Sequence, residues 1–177
     1  MEDRKVILKI EHLCKDFDIK AKSFTGKALK LHALSDISLD IYEGETLGII
    51  GESGCGKSTL GRCLVNLHPI TSGKLVYDGK ELNRLRKKER QALSREIQMV
   101  FQDPYSSLDP RHTAADSVEE PMIVHKTPAT ARERQERTIG LFKEVGLDMQ
   151  HLNRYPHEFS GGQRQRLNIA RAIASNP

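Results

Sequence analysis

The chain has 177 residues, 37% of them hydrophobic and 29% charged, which is enough apolar material for a packed core and too much for a disordered, low-complexity polymer. At roughly 150 residues per domain this length suits one compact unit, or one unit with a small inserted lobe. The net charge of +4 is scattered and singles out no polyanionic partner. The longest stretch free of Asp, Glu, Lys and Arg, Cys63–Gly73, falls well short of the about 18 apolar residues of a membrane-spanning helix.

Met1-Glu2-Asp3-Arg4-Lys5 lacks the apolar run of a secretory signal, which points to the cytosol. Val6–Ile10 and Ile37–Ile41 alternate apolar with polar residues and predict half-buried strands. The Lys-rich segment between them, Asp18–Lys30, reads as a loop or a long hairpin connection. After the turn Glu43-Gly44-Glu45, the near-continuous apolar run Thr46–Ile50 predicts a strand buried on both faces of a parallel sheet. A glycine-rich turn follows, then Leu60, Cys63, Leu64 and Leu67 at helical spacing until Pro69. Lys74–Tyr77 with Asp78-Gly79 predicts a hairpin, Lys87–Glu96 a charged helix, and Ile97–Phe101 a further strand. Beyond Pro104 the texture turns helical. Leu141, Phe142 and Val145 share a face, and Gly146 stands where a helix-terminating glycine belongs. An inserted helical lobe is expected from about Tyr105 to Tyr155, reaching about residue 172 once the last helix, which starts at Ser160, is included.

Three cysteines without a CxxC pair and unclustered histidines argue against disulfides and a zinc site. The chemistry lies elsewhere. Gly51-Glu52-Ser53-Gly54-Cys55-Gly56-Lys57-Ser58 fits the phosphate-loop pattern GxxxxGK[ST] between a predicted strand and a helix. Glycines let backbone N–H groups curl toward phosphate oxygens, and the helix N-terminus adds positive potential. Lys57 supplies a point charge for the terminal phosphate, and the Ser58 hydroxyl is a hard oxygen ligand suited to Mg²⁺. Cys55, inside this cradle, is expected to be open to alkylation, with a small filler residue as the plainer reading.

Ser160-Gly161-Gly162-Gln163 carries the S-x-x-Q capping-box pattern. Two glycines in a first helical turn each cost about 1 kcal/mol relative to alanine. They leave bare backbone on which a phosphate could settle, although an ordinary cap remains the alternative reading of the motif by itself.

At this point the chain resembles the ATP-binding subunits of ABC transporters. Gly51–Thr59 matches their phosphate loop, Gln102 their Q-loop glutamine, and Phe159-Ser160-Gly161-Gly162-Gln163 their signature, with Phe159 where Leu is commonest. The runs Gln98–Arg111 and Tyr155–Arg166 resemble the oligopeptide and dipeptide importer branch. The resemblance implies an α/β fold: a P-loop NTPase core whose mixed sheet carries an antiparallel β subdomain, an inserted helical subdomain, and a missing C-terminal part. It implies ATP and Mg²⁺ as ligands, with Ser58 and Gln102 on the metal and an early aromatic stacked on adenine. Phe17 is the candidate for that aromatic, Phe24 the alternative, and a core role the plain reading. It further implies a head-to-tail pair of subunits in which Ser160, Gly161, Gly162 and Gln163 of one chain face the ATP held by the other. The remaining implied partners are membrane permease subunits and, indirectly, a substrate-binding protein, so the chain would sit at the cytoplasmic face of the membrane.

The family's hydrolytic Asp, Glu and His follow the signature helix, and this sequence ends at Ser175-Asn176-Pro177. No catalytic carboxylate can be named; the run Ile97–Asp103 comes nearest, but Gln98 interrupts it. These residues are therefore expected to be the front part of a longer subunit, or a truncated relative that folds poorly and does not hydrolyse ATP alone. A GTPase is disfavoured because no NKxD sequence occurs, and a nucleic-acid ATPase because the basic residues are not interleaved with aromatics. A non-catalytic nucleotide-binding module is the third reading.

Overall fold

The computed structural model describes residues 4–19, 29–128 and 130–177. It divides into two compact units, Met1–Arg90 and Gln91–Pro177.

The first unit is built on strands β1 (Val6–Ile19) and β2 (Leu29–Tyr42), helix α1 (Lys57–Leu64), and strands β3 (Ser72–Tyr77) and β4 (Lys80–Glu81). The sheet order is β2-β1-β3-β4 and every pairing is antiparallel. Alternation decides which side chains go inside: Leu8 and Ile10 are buried while Lys9 between them is exposed. Leu13, Leu34 and Leu75 complete the buried apolar residues of the sheet, and Leu60 and Cys63 are the buried residues of α1. The predicted strands and the Asp78-Gly79 hairpin are present, but the first two strands are longer than their alternation suggested. Pairing continues through Phe17↔Leu31 to Ile19↔Leu29, so the outer parts of the segment read as a loop are strand. Main-chain hydrogen bonding between neighbours carries the hairpin past the point where burial supports it, and His32 Nδ1 and Asp16 Oδ1, 2.8 Å apart, pin that extension.

The predicted strand Thr46–Ile50 does not form, and neither does Ile97–Phe101. Both runs have strand composition, yet a strand exists only as one side of a hydrogen-bonded pair. Among the described residues neither run has such a neighbour. Leu47 and Ile49 are exposed, and Ile50 is 97% exposed.

The second unit is helical. Helix α2 (Lys87–Glu96) crosses the boundary between the units, and α3 (Ala114–His125), α4 (Ala131–Glu144) and α5 (Gly161–Ile173) follow. Thr113 and Thr130 each accept a hydrogen bond from the third helical N–H, and Asp116 and Glu133 return it. Gly146 has φ 70°, as a residue just past a helix end requires, and closes α4. The core gathers Val118 and Met122 of α3, Leu141 and Phe142 of α4, and Leu167 and Ala170 of α5. No helix among the described residues is long and apolar enough to cross a membrane.

Candidate nucleotide site

In the first unit the phosphate loop, Gly51–Ser58, leads directly into α1. Gly56 is the N-cap at φ 98° and provides no side-chain hydrogen bond. The first N–H groups of α1 therefore have no side-chain acceptor, as an anion-binding terminus needs. Glycine is required here on steric grounds as well. A Cβ at Gly56 would lie 2.6 Å from the Ala33 carbonyl oxygen, and one at Gly51 would lie 2.7 Å from Cys55 Sγ. Gly54 is also left-handed, at φ 84°. The Lys57 ammonium donates to the carbonyls of Gly51 and Glu52, each at 2.6 Å, and lies 3.4 Å from Cys55 Sγ. One cation thus gathers both ends of the loop. Glu52, Ser53, Cys55 and Ser58 are exposed around it, and Thr59 is half-buried in the first turn of α1.

Phe17 lies near the far end of β1. Its ring meets His68 edge-on, with centroids 5.4 Å apart and planes at 85°, and the Lys15 ammonium stands 4.7 Å from its centroid. Lys15 pairs across the sheet with Leu34, the residue whose Cδ2 a Cβ on Gly56 would meet at 2.8 Å. The pairing partner of Lys15 thus packs its side chain beside the phosphate loop. Phe24, the alternative aromatic, lies outside the described residues. Sequence reasoning overlooked Lys15 and His68. The signal for Lys15 was available, because it occupies a strand position that alternates in step with Leu13 and Phe17, where an inward apolar side chain is expected.

In the second unit the capping box at α5 forms as expected. The N–H of Gln163 donates to Ser160 Oγ at 3.3 Å, and the Ser160 N–H donates to Gln163 Oε1 at 3.0 Å. A Cβ at Gly161 or Gly162 would meet nothing within 4 Å. Three side chains along α5 hold the segment that follows Gln102. The Arg164 guanidinium lies 3.9 Å from the centroid of the Tyr105 ring, Asn168 Nδ2 reaches the Pro104 carbonyl at 3.5 Å, and Arg171 Nη1 donates to the Ser107 carbonyl at 2.6 Å. Spacings of four and three residues put them on one helix face. Arg164, only 7% exposed, also donates to the carbonyls of Pro156 and His157, tying the turn before the signature to the helix after it. Its Nη1 has no hydrogen-bond partner, and the Tyr105 ring face is the electron-rich surface available to that cation.

Gln102 is exposed. Asp103 beside it accepts the Tyr105 N–H at 2.9 Å. This bond and those from Ser106 hold its carboxyl below the usual range, so it serves as a turn cap.

The sequence profile of the ABC transporter family matches residues 34–177. The chain belongs to that family. It is 46% identical over 172 residues to the oligopeptide transport ATP-binding protein OppF of Bacillus subtilis, an alignment covering 97% of this chain and 54% of that protein. It is also 46% identical over 171 residues to the glutathione import ATP-binding protein GsiA of Pectobacterium atrosepticum, covering 97% of this chain and 27% of that one. The chain thus spans about half the length of the first relative and about a quarter of the second. Among solved structures it is similar to the dimeric ATP-binding cassette MJ0796 in a post-hydrolysis state with ADP and Pi, at TM-score 0.84 and 34% identity over 96% of this chain and 70% of that one. The α/β fold is therefore that of an ABC ATPase cassette, as the resemblance implied.

Proposed function

We propose that this chain is the nucleotide-binding part of an ABC importer's energy subunit, which couples ATP binding and hydrolysis to uptake of oligopeptides, dipeptides or a related short peptide such as glutathione. The observation that carries this reading is the phosphate loop: an N-terminus of α1 without a side-chain cap, and Lys57 at its mouth. The loop's N–H groups and Lys57 take the phosphates, with Gly51, Glu52, Ser53, Gly54, Cys55, Gly56, Ser58 and Thr59 forming the cradle, and Phe17 stacks on the adenine.

The donor set suits Mg²⁺, because Ser58 offers an exposed hard oxygen and no cluster of His, Cys, Asp or Glu stands among the described residues to favour another metal. Ser58 is the residue of this loop that would hold it; when bound, the ion would neutralise charge on the phosphate oxygens. Gly161 and Gly162 support the second half of the reading. They weaken α5 and avoid no clash within their own chain, so the surface they leave open suits a ligand from outside it, the ATP of a second cassette. Permease subunits and, through them, a substrate-binding protein are the proposed further partners at the cytoplasmic face of the membrane, with no nucleic acid involved.

Titration calorimetry of ATP against the full chain and its Lys57→Ala variant tests the core of this proposal. Loss of a charge-assisted contact to phosphate at the centre of the cradle is expected to weaken binding by about a hundredfold. Unchanged affinity would remove Lys57 from the site and the reading with it.

A further inference from the structure

Lys15 is the one charged side chain of the first unit that is buried among the described residues, at 8% exposure. Its ammonium forms no ion pair among them. The carboxylate next to it in sequence, Asp16, is turned to His32 at 2.8 Å. A lysine stem held against the sheet with no counter-ion for its ammonium gives up side-chain freedom on folding, and an aromatic face returns only part of that cost. A hydrophobic residue would serve the strand better on packing grounds alone, so the charge needs another explanation.

Its position supplies one. The ammonium lies 4.7 Å from the Phe17 centroid, and His68 meets the same ring edge-on. Lys15 also reaches toward α1: burial pushes the Cys63 thiol up and the charge of Lys15 opposes that rise. The ring therefore has a cation over one face and the imidazole of His68 set perpendicular to it, on the strand pair that abuts the phosphate loop. A cation drawn to one face of an aromatic ring polarises its π-electrons toward itself and leaves the opposite face less negative. Such a face stacks better against an electron-rich purine.

We propose that Lys15 is a positioning residue for the base: by polarising and orienting the Phe17 ring it strengthens stacking of adenine nucleotides. The inference rests on the reading of Phe17 as the adenine platform. Calorimetric titrations of ATP, ADP and inorganic tripolyphosphate against the full chain and its Lys15→Met, Lys15→Arg and Phe17→Leu variants test both and separate them. Lys15→Met keeps the length of the side chain and removes its charge. It is expected to weaken ATP and ADP roughly three- to tenfold, to leave tripolyphosphate unchanged, and to leave the melting temperature equal or higher, because methionine fills the same space without a charge that lacks a counter-ion. Lys15→Arg is expected to restore the adenine affinity.

If Phe17→Leu weakens ATP and Lys15→Met does not, the role of Lys15 is overturned and the platform stands. Should Phe17→Leu leave ATP affinity intact, the platform itself falls, and Lys15 with it. A Lys15→Met variant that melts earlier and loses ATP and tripolyphosphate in parallel would show a structural lysine and overturn the inference.

Discussion

Helices α1 and α5 both begin among glycines, and the reasons for those glycines differ. At α1 the capping glycine is dictated from within the chain: Gly56 sits at φ 98° with the Ala33 carbonyl where a Cβ would go. At α5 nothing among the described residues would touch a Cβ on Gly161 or Gly162. The capping differs in the same sense. The α1 terminus has no side-chain cap and a lysine at its mouth, whereas Ser160 and Gln163 satisfy one another across the first turn of α5. One terminus is organised by its own loop and is the proposed primary anion site. The other is a stable helix start whose open surface has no occupant among the described residues.

The largest expected effect addresses the first terminus alone. The cysteines are Cys14, Cys55 and Cys63, so the second unit has none, and Cys55 is the exposed one. Alkylation of Cys55 with N-ethylmaleimide, followed by mass spectrometry and ATP titration, is expected to weaken ATP by about a hundredfold, since the adduct would occupy the cradle. ATP should in turn slow the alkylation. Undiminished affinity after complete modification would mean that phosphates do not enter the loop as proposed.

At the second terminus the comparison predicts effects of opposite sign. Gly162→Ala is expected to stabilise α5 by up to about 1 kcal/mol, read as a melting temperature that holds or rises. ATP-dependent self-association of the chain, read by sedimentation velocity, is expected to weaken by about tenfold or more as the added methyl meets the proposed trans nucleotide. Retained ATP-dependent association would reduce Gly162 to a permissive cap residue. Gly56→Ala should do the reverse in stability, costing about 1–3 kcal/mol in denaturant unfolding because left-handed backbone and a carbonyl contact are both imposed on alanine.

The smallest effect separates the capping boxes by their chemistry. Hydrogen bonds from the Thr113 and Thr130 side chains and N–H groups lower the pKa values of Asp116 and Glu133. A carboxyl depressed on folding contributes stability that is present above its unfolded value, near 4, and lost as pH falls through the folded value. Gln163 is neutral at every pH. Carbonyl chemical shifts followed from pH 6 downward are expected to show the first turns of α3 and α4 fraying before that of α5; simultaneous fraying would deny the carboxylates that role.

Local patterns that need no distant partner were legible in the sequence. Helix α2 covers the predicted Lys87–Glu96, the Asp78-Gly79 turn joins β3 to β4, Gly146 terminates α4, and the Ser160 box forms bond for bond. The phosphate loop was equally plain, because its residue types are set by backbone curvature and phosphate chemistry. Hidden from that reading were interactions whose partners lie far along the chain: Arg164 on Tyr105, and Arg171 on the Ser107 carbonyl. Lys15 on Phe17 was missed differently: its alternation with Leu13 and Phe17 was legible, but a lysine in a strand reads as solvated until its burial is seen.

What the sequence determined by itself, then, is the set of local conformers, the curl of the Gly51–Ser58 loop among them, since helix caps, turns and left-handed glycines are settled within a few residues. Pairing was decided only in the tertiary structure. Thr46–Ile50 and Ile97–Phe101 have the composition of buried strands and still make no ladder, while the polar ends of the β1–β2 hairpin do. Composition governs whether a segment tolerates a sheet, but a strand forms only where another strand is present to accept its hydrogen bonds.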